Sequence, residues 1–126
     1  MDPLYIEESD TNPKVVLDKD NGIFEISGRS NLENAISFYE KIMDWLDEYS
    51  RDPLEETVFN FKLEYYNSAS SKVFLDVLKT LDSMYQDGIE VAVYWHHLDD
   101  EMIEEEGEIY SEMVDVPIHI VNWKPK

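Results

Sequence analysis

The sequence predicts an α/β fold: a mixed, mostly parallel sheet with an N-terminal hairpin and about three helices. Two short β-rich segments near the N-terminus flank an Asn-Gly pair, which is typical of a hairpin turn. Beyond them, segments with helical periodicity alternate with segments of strand periodicity. Such alternation favours parallel strands joined by right-handed crossovers. The length of 126 residues predicts one domain over residues 1–126.

The N-terminal part of the chain predicts three strands. Residues 4–7 are expected to form a short edge strand. Residues 15–18 and 23–27 are expected to form the hairpin, with residues 19–22 as its turn, because Asn21-Gly22 can adopt positive φ.

The first helix is predicted to follow a cap at Ser30 and Asn31. Its apolar positions follow helical spacing; they are Leu32, Ala35, Ile36, Tyr39, Ile42, Met43, Leu46 and Tyr49. Phe38 and Trp45 fall beside this stripe. Two interpretations stay open for these aromatic residues. They widen the core face of the helix, or they form, together with Tyr39, a surface that contacts a partner.

The centre of the chain predicts a strand, a polar turn and a second helix. Strand alternation over residues 57–66 places Phe59, Phe61, Leu63 and Tyr65 on one face. From residue 73 the spacing becomes helical. Between them, residues 67–72 read NSASSK, and Asn and Ser are preferred helix caps. A phosphate on Ser68 would therefore lie near the positive end of the helix dipole. From spacing alone, the favoured interpretation is that Ser68, Ser70 and Ser71 only cap the helix.

The C-terminal part predicts an inner strand over residues 89–95, a helix over residues 101–113 and a last strand over residues 116–121. Gly107 is expected to weaken or break the helix. The apolar positions of this helix are expected to be Met102, Ile103, Ile109, Tyr110 and Met113. Residues 123–126 are expected to form a loose tail.

The acidic composition limits the classes of partner. The net charge is −19, from 29 acidic and 10 basic residues. A field of this sign repels nucleic-acid phosphates and anionic membranes, so neither is expected as a partner. The hydrophobic fraction of 43% predicts a folded core. The N-terminus lacks the features of a signal peptide and no apolar run is long enough to span a bilayer, so we expect a cytoplasmic protein.

Catalytic and metal-binding patterns are weak in this sequence. His96 and His97 precede an acidic segment over residues 99–112, which makes a small metal-dependent enzyme one alternative. The segment has no recognised ligand spacing, and charge runs on helices usually face solvent, so no metal is expected. Ser68, His96 and Asp99 supply the residue types of a hydrolytic triad, but nothing in the sequence places them within hydrogen-bond reach of one another. We expect a non-catalytic protein without a cofactor.

Several segments carry a family resemblance. The run YYNSASSKVFLD, residues 65–76, joins an aromatic strand end to a polar turn, a lysine and an apolar helix. Other segments follow in order along nearly the whole chain; they are SGRS at 27–30, EN at 33–34, FY at 38–39 through WL at 45–46, VAVYW at 91–95, DEM at 100–102, EGE at 106–108 and PI at 117–118. In these residues the chain resembles the SiaC family of bacterial regulatory phosphoproteins.

The resemblance implies a fold similar to the anti-sigma-factor antagonist (STAS) domain and a phosphorylated hydroxyl at the position of Ser68. The expected surround of this hydroxyl is Asn67, Ala69, Ser70, Ser71 and Lys72. Ser68 stands where the best-known member has Thr, which keeps the chemistry. Ala69 stands where Ser is common, which removes one competing hydroxyl.

The resemblance also implies three protein partners. A protein kinase would phosphorylate Ser68, a PP2C-type phosphatase would reverse this, and a diguanylate cyclase would be the target. The unphosphorylated form would bind and activate the cyclase, raising cyclic di-GMP in the control of biofilm formation and aggregation. An anti-sigma factor in a partner-switching cascade is the alternative target. The sequence leaves open whether Ser70 or Ser71 is a second acceptor.

Overall fold

The strands of the sheet lie in the order in which they occur along the chain. The computed structural model describes residues 1–123. The six strands are β1 (Leu4–Ile6), β2 (Lys14–Asp18), β3 (Ile23–Ser30), β4 (Glu56–Tyr66), β5 (Glu90–His97) and β6 (Ile118–Asn122). The helices are α1 (Ala35–Tyr49), α2 (Ser68–Gln86) and α3 (Glu101–Met113). The predicted fold class, a mixed sheet with an N-terminal hairpin and three helices, is confirmed.

The sheet is antiparallel at its N-terminal edge and parallel elsewhere. Strands β1, β2 and β3 pair antiparallel, and β3 to β6 pair parallel. In the parallel part Phe24 lies opposite Phe59, which lies opposite Val93. Each helix connects two neighbouring parallel strands. Each of these connections leads to the next strand in the same direction across the sheet. Crossovers of one hand that step in one direction place their helices on the same face of the sheet.

The helix-covered face holds the aromatic core. Phe59 and Phe61 of β4 are fully buried on this face, as is Phe74 of α2. The ring of Phe74 lies 5.6 Å from that of Tyr39 and 6.1 Å from that of Trp95, so one side chain connects α1, α2 and β5. Edge-to-face aromatic contacts of this kind add to the free energy gained by burying the rings.

The other face of the sheet carries polar side chains and is not covered by a helix in the described part of the chain. Lys62 Nζ lies 2.9 Å from Glu25 Oε1 across two parallel strands. His96 Nε2 lies 3.0 Å from Asn60 Oδ1. The polar residues therefore alternate with the buried apolar residues of the same strands.

The start of α1 differs from the prediction. Ser30 and Asn31 do not cap this helix; the cap is Asn34, whose Oδ1 accepts from the amide of Ser37 at 3.1 Å. Ser30 instead ends β3, paired with Tyr66. Sheet pairing thus extends β3 beyond its predicted end at residue 27. Ile36, predicted in the apolar stripe, is 76% exposed, although its neighbour Ala35 in the same turn is buried.

A β-bulge changes the end of β4. Gly28 pairs with Leu63, but the next pair joins Arg29 to Tyr65, so β4 has one extra residue, Glu64. Tyr65 was predicted on the core face with Leu63; it is 42% exposed. Tyr66 points into the core instead, with its ring 5.2 Å from that of Phe74.

Helix α3 has the predicted bounds but is not broken at Gly107. A Cβ atom at this position would lie 2.4 Å from Trp95 Cδ1, so the glycine permits close packing on the indole. Two of the predicted apolar positions, Ile103 and Tyr110, are buried. The other three predicted apolar positions are exposed; they are Met102, Ile109 and Met113.

The last described residue is held to the sheet. The Trp123 amide donates to the His97 carbonyl oxygen at 2.6 Å, and Lys62 Nζ lies 5.4 Å from the centre of its ring. Trp123 is therefore not loose as predicted, while the rest of the predicted loose tail, residues 124–126, lies outside the described residues. Among residues 1–123, no helix has the length and apolar character needed to cross a membrane.

Candidate functional site

Ser68 lies at the carboxyl end of β4 as the first residue of α2. Asn67 is the cap: its Oδ1 accepts from the Ser70 amide at 2.9 Å, as the polar turn predicted. Its Nδ2 donates to the Leu32 carbonyl oxygen at 2.8 Å. One side chain therefore both begins the helix and holds it to the loop before α1. Carboxyl ends of parallel strands are where α/β folds commonly place functional groups.

The three serines of this turn have different environments. Ser68 is exposed, and within residues 1–123 its hydroxyl makes no hydrogen bond. Ser70 is fully buried; its Oγ lies 2.7 Å from Ser30 Oγ and donates to the Ser30 carbonyl oxygen at 2.9 Å. Ser71 is half-buried and donates to Glu106 Oε1 at 2.6 Å. Ser68 thus has the hydroxyl that an enzyme can reach without disturbing the fold.

A hydrogen-bond cluster joins α2 to α3 beside Ser68. Glu106 Oε1 accepts from Ser71 and lies 3.0 Å from the Tyr110 hydroxyl. The same Tyr110 hydroxyl lies 2.8 Å from the Ser71 carbonyl oxygen. Burial is the main cause that raises the pKa of Tyr110, and the Glu106 carboxylate adds to it, so this phenol stays a neutral donor.

A cleft of about 370 Å³ opens between the start of α2 and the first turns of α3. Its lining residues are Tyr65, Tyr66, Asn67, Ser68, Ser71, Lys72, Asp100, Met102, Ile103 and Glu106. Burial raises the pKa of Tyr66 most, followed by the charge of Glu106. The cleft therefore combines the neutral phenol of Tyr66 and apolar walls with charged groups of both signs.

The charges around Ser68 oppose one another. The helix dipole of α2 and its free amides favour a negative group at Ser68, and Lys72 lies one turn further along the helix. Arg29 sits over the exposed Tyr65 ring, 5.1 Å from its centre, and adds a second cation near the cleft. Asp100 and Glu106 line the opposite wall. A phosphate on Ser68 would therefore be attracted by its own helix and repelled by α3.

The aromatic surface predicted on α1 is mostly core. Tyr39 is fully buried, and Trp45 is 8% exposed. The Trp45 ring stacks on that of Tyr49 at 5.3 Å, and its Nε1 donates to the Asp2 carbonyl oxygen at 2.9 Å. Neither side chain presents a surface to a partner in this fold, so the core interpretation holds for both. Phe38 is half-buried and is the one member of the group that stays a candidate contact.

The two adjacent histidines point to opposite faces of the sheet, as consecutive strand residues do. His96 lies on the open face beside Asn60. His97 is 5% exposed on the helix-covered face, with Nε2 3.4 Å from Glu104 Oε2. They cannot share an ion, and residues 1–123 contain no group of three or more potential ligands placed to hold one. The geometry therefore gives no support to the metal-dependent alternative.

Sequence patterns missed two residues of this site. Glu106 was assigned to an acidic run and to the EGE motif, with no contact to Ser71 predicted, yet it accepts from Ser71, 35 residues earlier. Ser30 was assigned to a helix cap, yet it holds the buried Ser70. Both contacts join separate elements, so no local spacing could indicate them. The one available signal was the strong β-pattern of β4, which favours pairing along its full length with a neighbouring strand.

The fold and the site define a class of small α/β domain that presents a serine hydroxyl at the start of a helix, at the carboxyl end of a parallel strand. A family model described as SiaC family regulatory phosphoprotein matches residues 6–123. The chain belongs to this family, as the resemblance of its motifs predicted.

Known relatives agree with this membership. An uncharacterized protein of Pseudomonas aeruginosa strain UCBPP-PA14 is 27% identical over 97 residues, which cover 77% of each chain. The crystal structure of apo-SiaC from P. aeruginosa is 26% identical and has a TM-score of 0.88, covering 96% of this chain and 99% of that one. A structure of the diguanylate cyclase SiaD in complex with its activator SiaC, from the same organism, matches with 26% identity and a TM-score of 0.88, covering 95% and 99%.

Proposed function

We propose that this chain is a non-catalytic signalling switch that activates a diguanylate cyclase and is controlled by phosphorylation of Ser68. The observation that carries the acceptor assignment is the difference among the three serines. Ser68 alone is exposed with an unbonded hydroxyl, while Ser70 and Ser71 are held by hydrogen bonds. The cyclase assignment is supported by the solved complex in which SiaC is the activator of SiaD.

The charge of a phosphate explains how the switch would act. Phosphorylation adds nearly two negative charges at neutral pH. At Ser68 the group would stand at the mouth of a cleft whose wall includes Tyr65 and Met102. A partner that covers these side chains would have to remove water from the phosphate, which is costly without a dedicated counter-charge. Binding would be lost without any large change in the fold.

The further partners follow from this cycle. A protein kinase acts on Ser68, and a PP2C-type phosphatase removes the phosphate. Both act in the cytoplasm, where the cyclase makes cyclic di-GMP. Asn67 and Lys72 help position the phosphate, because the first caps the helix and the second lies one turn beyond the acceptor.

The test combines phosphate mapping with a cyclase assay. The protein is treated with its kinase and ATP, and phosphopeptides are mapped for the wild type, Ser68→Ala and the matched control Ser71→Ala. We expect phosphate on Ser68 in the wild type and in Ser71→Ala, and none in Ser68→Ala.

The cyclase assay uses the SiaD-type diguanylate cyclase of the same organism. Unmodified protein and Ser68→Ala should raise cyclic di-GMP synthesis, and the phosphorylated protein should not. Phosphate on another residue would contradict the acceptor assignment. Equal activation by both forms would contradict the switch. Capture of an anti-sigma factor by the unmodified protein, without any effect on the cyclase, would favour the alternative target.

A further inference from the structure

We propose that the outer side of α3 is the surface that docks the partner, and that it takes a protein segment whose apolar side chains are flanked by Lys and Arg. This surface, the α3 stripe, consists of Met102, Ile109 and Met113. The inference rests on the proposed function, since the segment is taken to belong to the cyclase. The inference specifies which face of the domain binds the partner. The position of the phosphate acceptor, Ser68, does not by itself specify that face.

The spacing of the α3 stripe places its members in one line. Ile109 follows Met102 by seven residues, and Met113 follows Ile109 by four. Residues at these spacings lie on the same side of a helix. Met102 is 80% exposed, and Ile109 and Met113 are each 53% exposed. Single exposed apolar residues are common, but here three share one side of a helix, with Glu105 and Glu106 between Met102 and Ile109, so the surface mixes apolar and acidic groups. Methionine adapts its shape to a partner because its side chain is unbranched and flexible.

The core does not need these three residues. The side of α3 that packs on the sheet consists of Ile103, Gly107 and Tyr110, with Gly107 directly against Trp95. The Trp95 indole nitrogen also donates to the Ile103 carbonyl oxygen at 2.8 Å. The helix is therefore anchored through its inner side, and the stripe is left unpartnered among residues 1–123.

Charge selects the kind of segment that fits. Glu105, Glu108 and Glu112 are exposed beside the stripe, and α3 contains no basic residue. The whole chain carries a net charge of −19. An apolar surface with an acidic border favours a partner with a basic border, and such pairing speeds association and excludes acidic segments.

The α3 stripe is continuous with the phosphorylation site. Met102 belongs to the stripe and also lines the cleft that contains Ser68. A segment lying along the stripe and covering Met102 would therefore reach the acceptor hydroxyl. This continuity explains how one phosphate could prevent docking on a surface that extends over the length of α3.

The binding experiment uses the full chain and the SiaD-type cyclase of the same organism. The variant Ile109→Ser with Met113→Ser should weaken binding by about tenfold or more, since it removes two buried apolar contacts. The control Ile23→Ser changes an isoleucine that is 48% exposed at the start of β3, three strands away from β6, and should stay within about twofold. Circular dichroism melts confirm that all variants are folded.

A charge-reversal series tests the acidic border. Replacing Glu105, Glu108 and Glu112 by Lys should weaken binding by about tenfold and reduce its salt dependence. The control replaces Glu40, Asp44 and Glu48, which are exposed on α1, by Lys. It changes the net charge by the same amount and leaves α3 unaltered. An equal loss in both triple variants would show a net-charge effect only and would overturn the inference.

Thiol protection maps the surface directly, because the chain has no cysteine. Ile109→Cys should react with a maleimide several-fold more slowly when the cyclase is bound, and Ile23→Cys should react at the same rate. If the wild type binds the cyclase but Ile109→Cys is not protected, the docking surface is wrong and the proposed function stands. If the wild type neither binds nor activates the cyclase, the proposed function is wrong and this inference falls with it.

Discussion

The hydroxyl of Ser70 lies 2.7 Å from the hydroxyl of Ser30, and both side chains are fully buried. This contact joins the first turn of α2 to the last residue of β3. Ser30 Oγ also lies 2.8 Å from the Tyr39 hydroxyl, so the cluster includes α1. The start of the helix that carries Ser68 is therefore fixed by groups that a phosphate does not touch.

The variant Ser70→Ala should lower the free energy of unfolding by about 1–3 kcal/mol, because it removes two buried hydrogen bonds between Ser70 and Ser30. Ser30 keeps its contacts with the Tyr39 hydroxyl and the Asn67 amide. Urea unfolding measures this change. The comparison Ser68→Ala should stay within about 0.5 kcal/mol, since its hydroxyl is exposed and unbonded. Folded Ser70→Ala should still be phosphorylated on Ser68. Loss of phosphate in a folded Ser70→Ala variant would contradict the structural role of this serine.

The variant Gly107→Ala should destabilise the protein although alanine is the better helix former. The gain in helix propensity is about 1 kcal/mol. Against it, the added Cβ meets Trp95 Cδ1 at 2.4 Å, and overpacking of a core costs about 1–3 kcal/mol. Thermal unfolding should therefore show a lower Tm. Glu105→Ala, on the exposed side of α3, is the control; a rise in Tm for Gly107→Ala would show that the indole moves freely.

The variants Trp45→Ala and Phe38→Ala should separate core from surface on α1. Removing the buried Trp45 should cost about 3–5 kcal/mol of unfolding free energy, as large-to-small core changes do. Phe38→Ala should cost less than half of that, because the ring is half-buried. Denaturant unfolding measures both. A small cost for Trp45→Ala would show that this ring is not part of the core.

Stability should fall as the pH decreases through the histidine range, and His96 should be a cause. Burial lowers the pKa of His96, and the charge of Lys62 lowers it further, against the opposing charge of Glu25. In the unfolded chain this histidine has an ordinary pKa of about 6.5, so it is protonated at a higher pH than His96 in the folded protein. The free energy of unfolding therefore decreases from about pH 7 downward. His96 Nδ1 is buried without a partner, which leaves no acceptor for the added proton.

Titration by NMR checks this assignment. The variant Lys62→Met removes the nearby cation and leaves Glu25, so the pKa of His96 should rise. The variant His96→Gln should lose less stability than the wild type between pH 7.5 and pH 6. Equal losses in the two proteins would contradict the role of His96.

Local signals predicted most of the fold. Asn67 and the serines after it predicted the start of α2, because helix caps depend on a few adjacent residues. The three helices and the parallel strands followed from periodicity. Contacts between distant elements could not be read in the same way. Pairing with Tyr66 draws Ser30 into the sheet, and packing on Trp95 overrides the low helix propensity of Gly107.

The site was predicted in part for the same reason. Sequence placed Ser68, Ser70 and Ser71 within one helical turn but could not rank their exposure, which depends on what packs against each side of α2. Ser70 faces β3 and Ser71 faces α3, so each finds a partner. The exposed apolar residues on α3 were predicted only as apolar positions of the helix together with Ile103 and Tyr110, since periodicity identifies apolar positions but not which of them another element covers.

The extra residue Glu64 makes the strand before Ser68 tolerant of a change in length. A relative one residue shorter at this point would form an uninterrupted ladder, with Leu63 opposite Gly28 and Tyr65 opposite Arg29, as here. Tyr66 would still face the core, and Asn67 and Ser68 would keep their places. A deletion elsewhere in β4 would turn every later side chain to the opposite face. Within β4, insertions and deletions among relatives are therefore expected to concentrate at this one position.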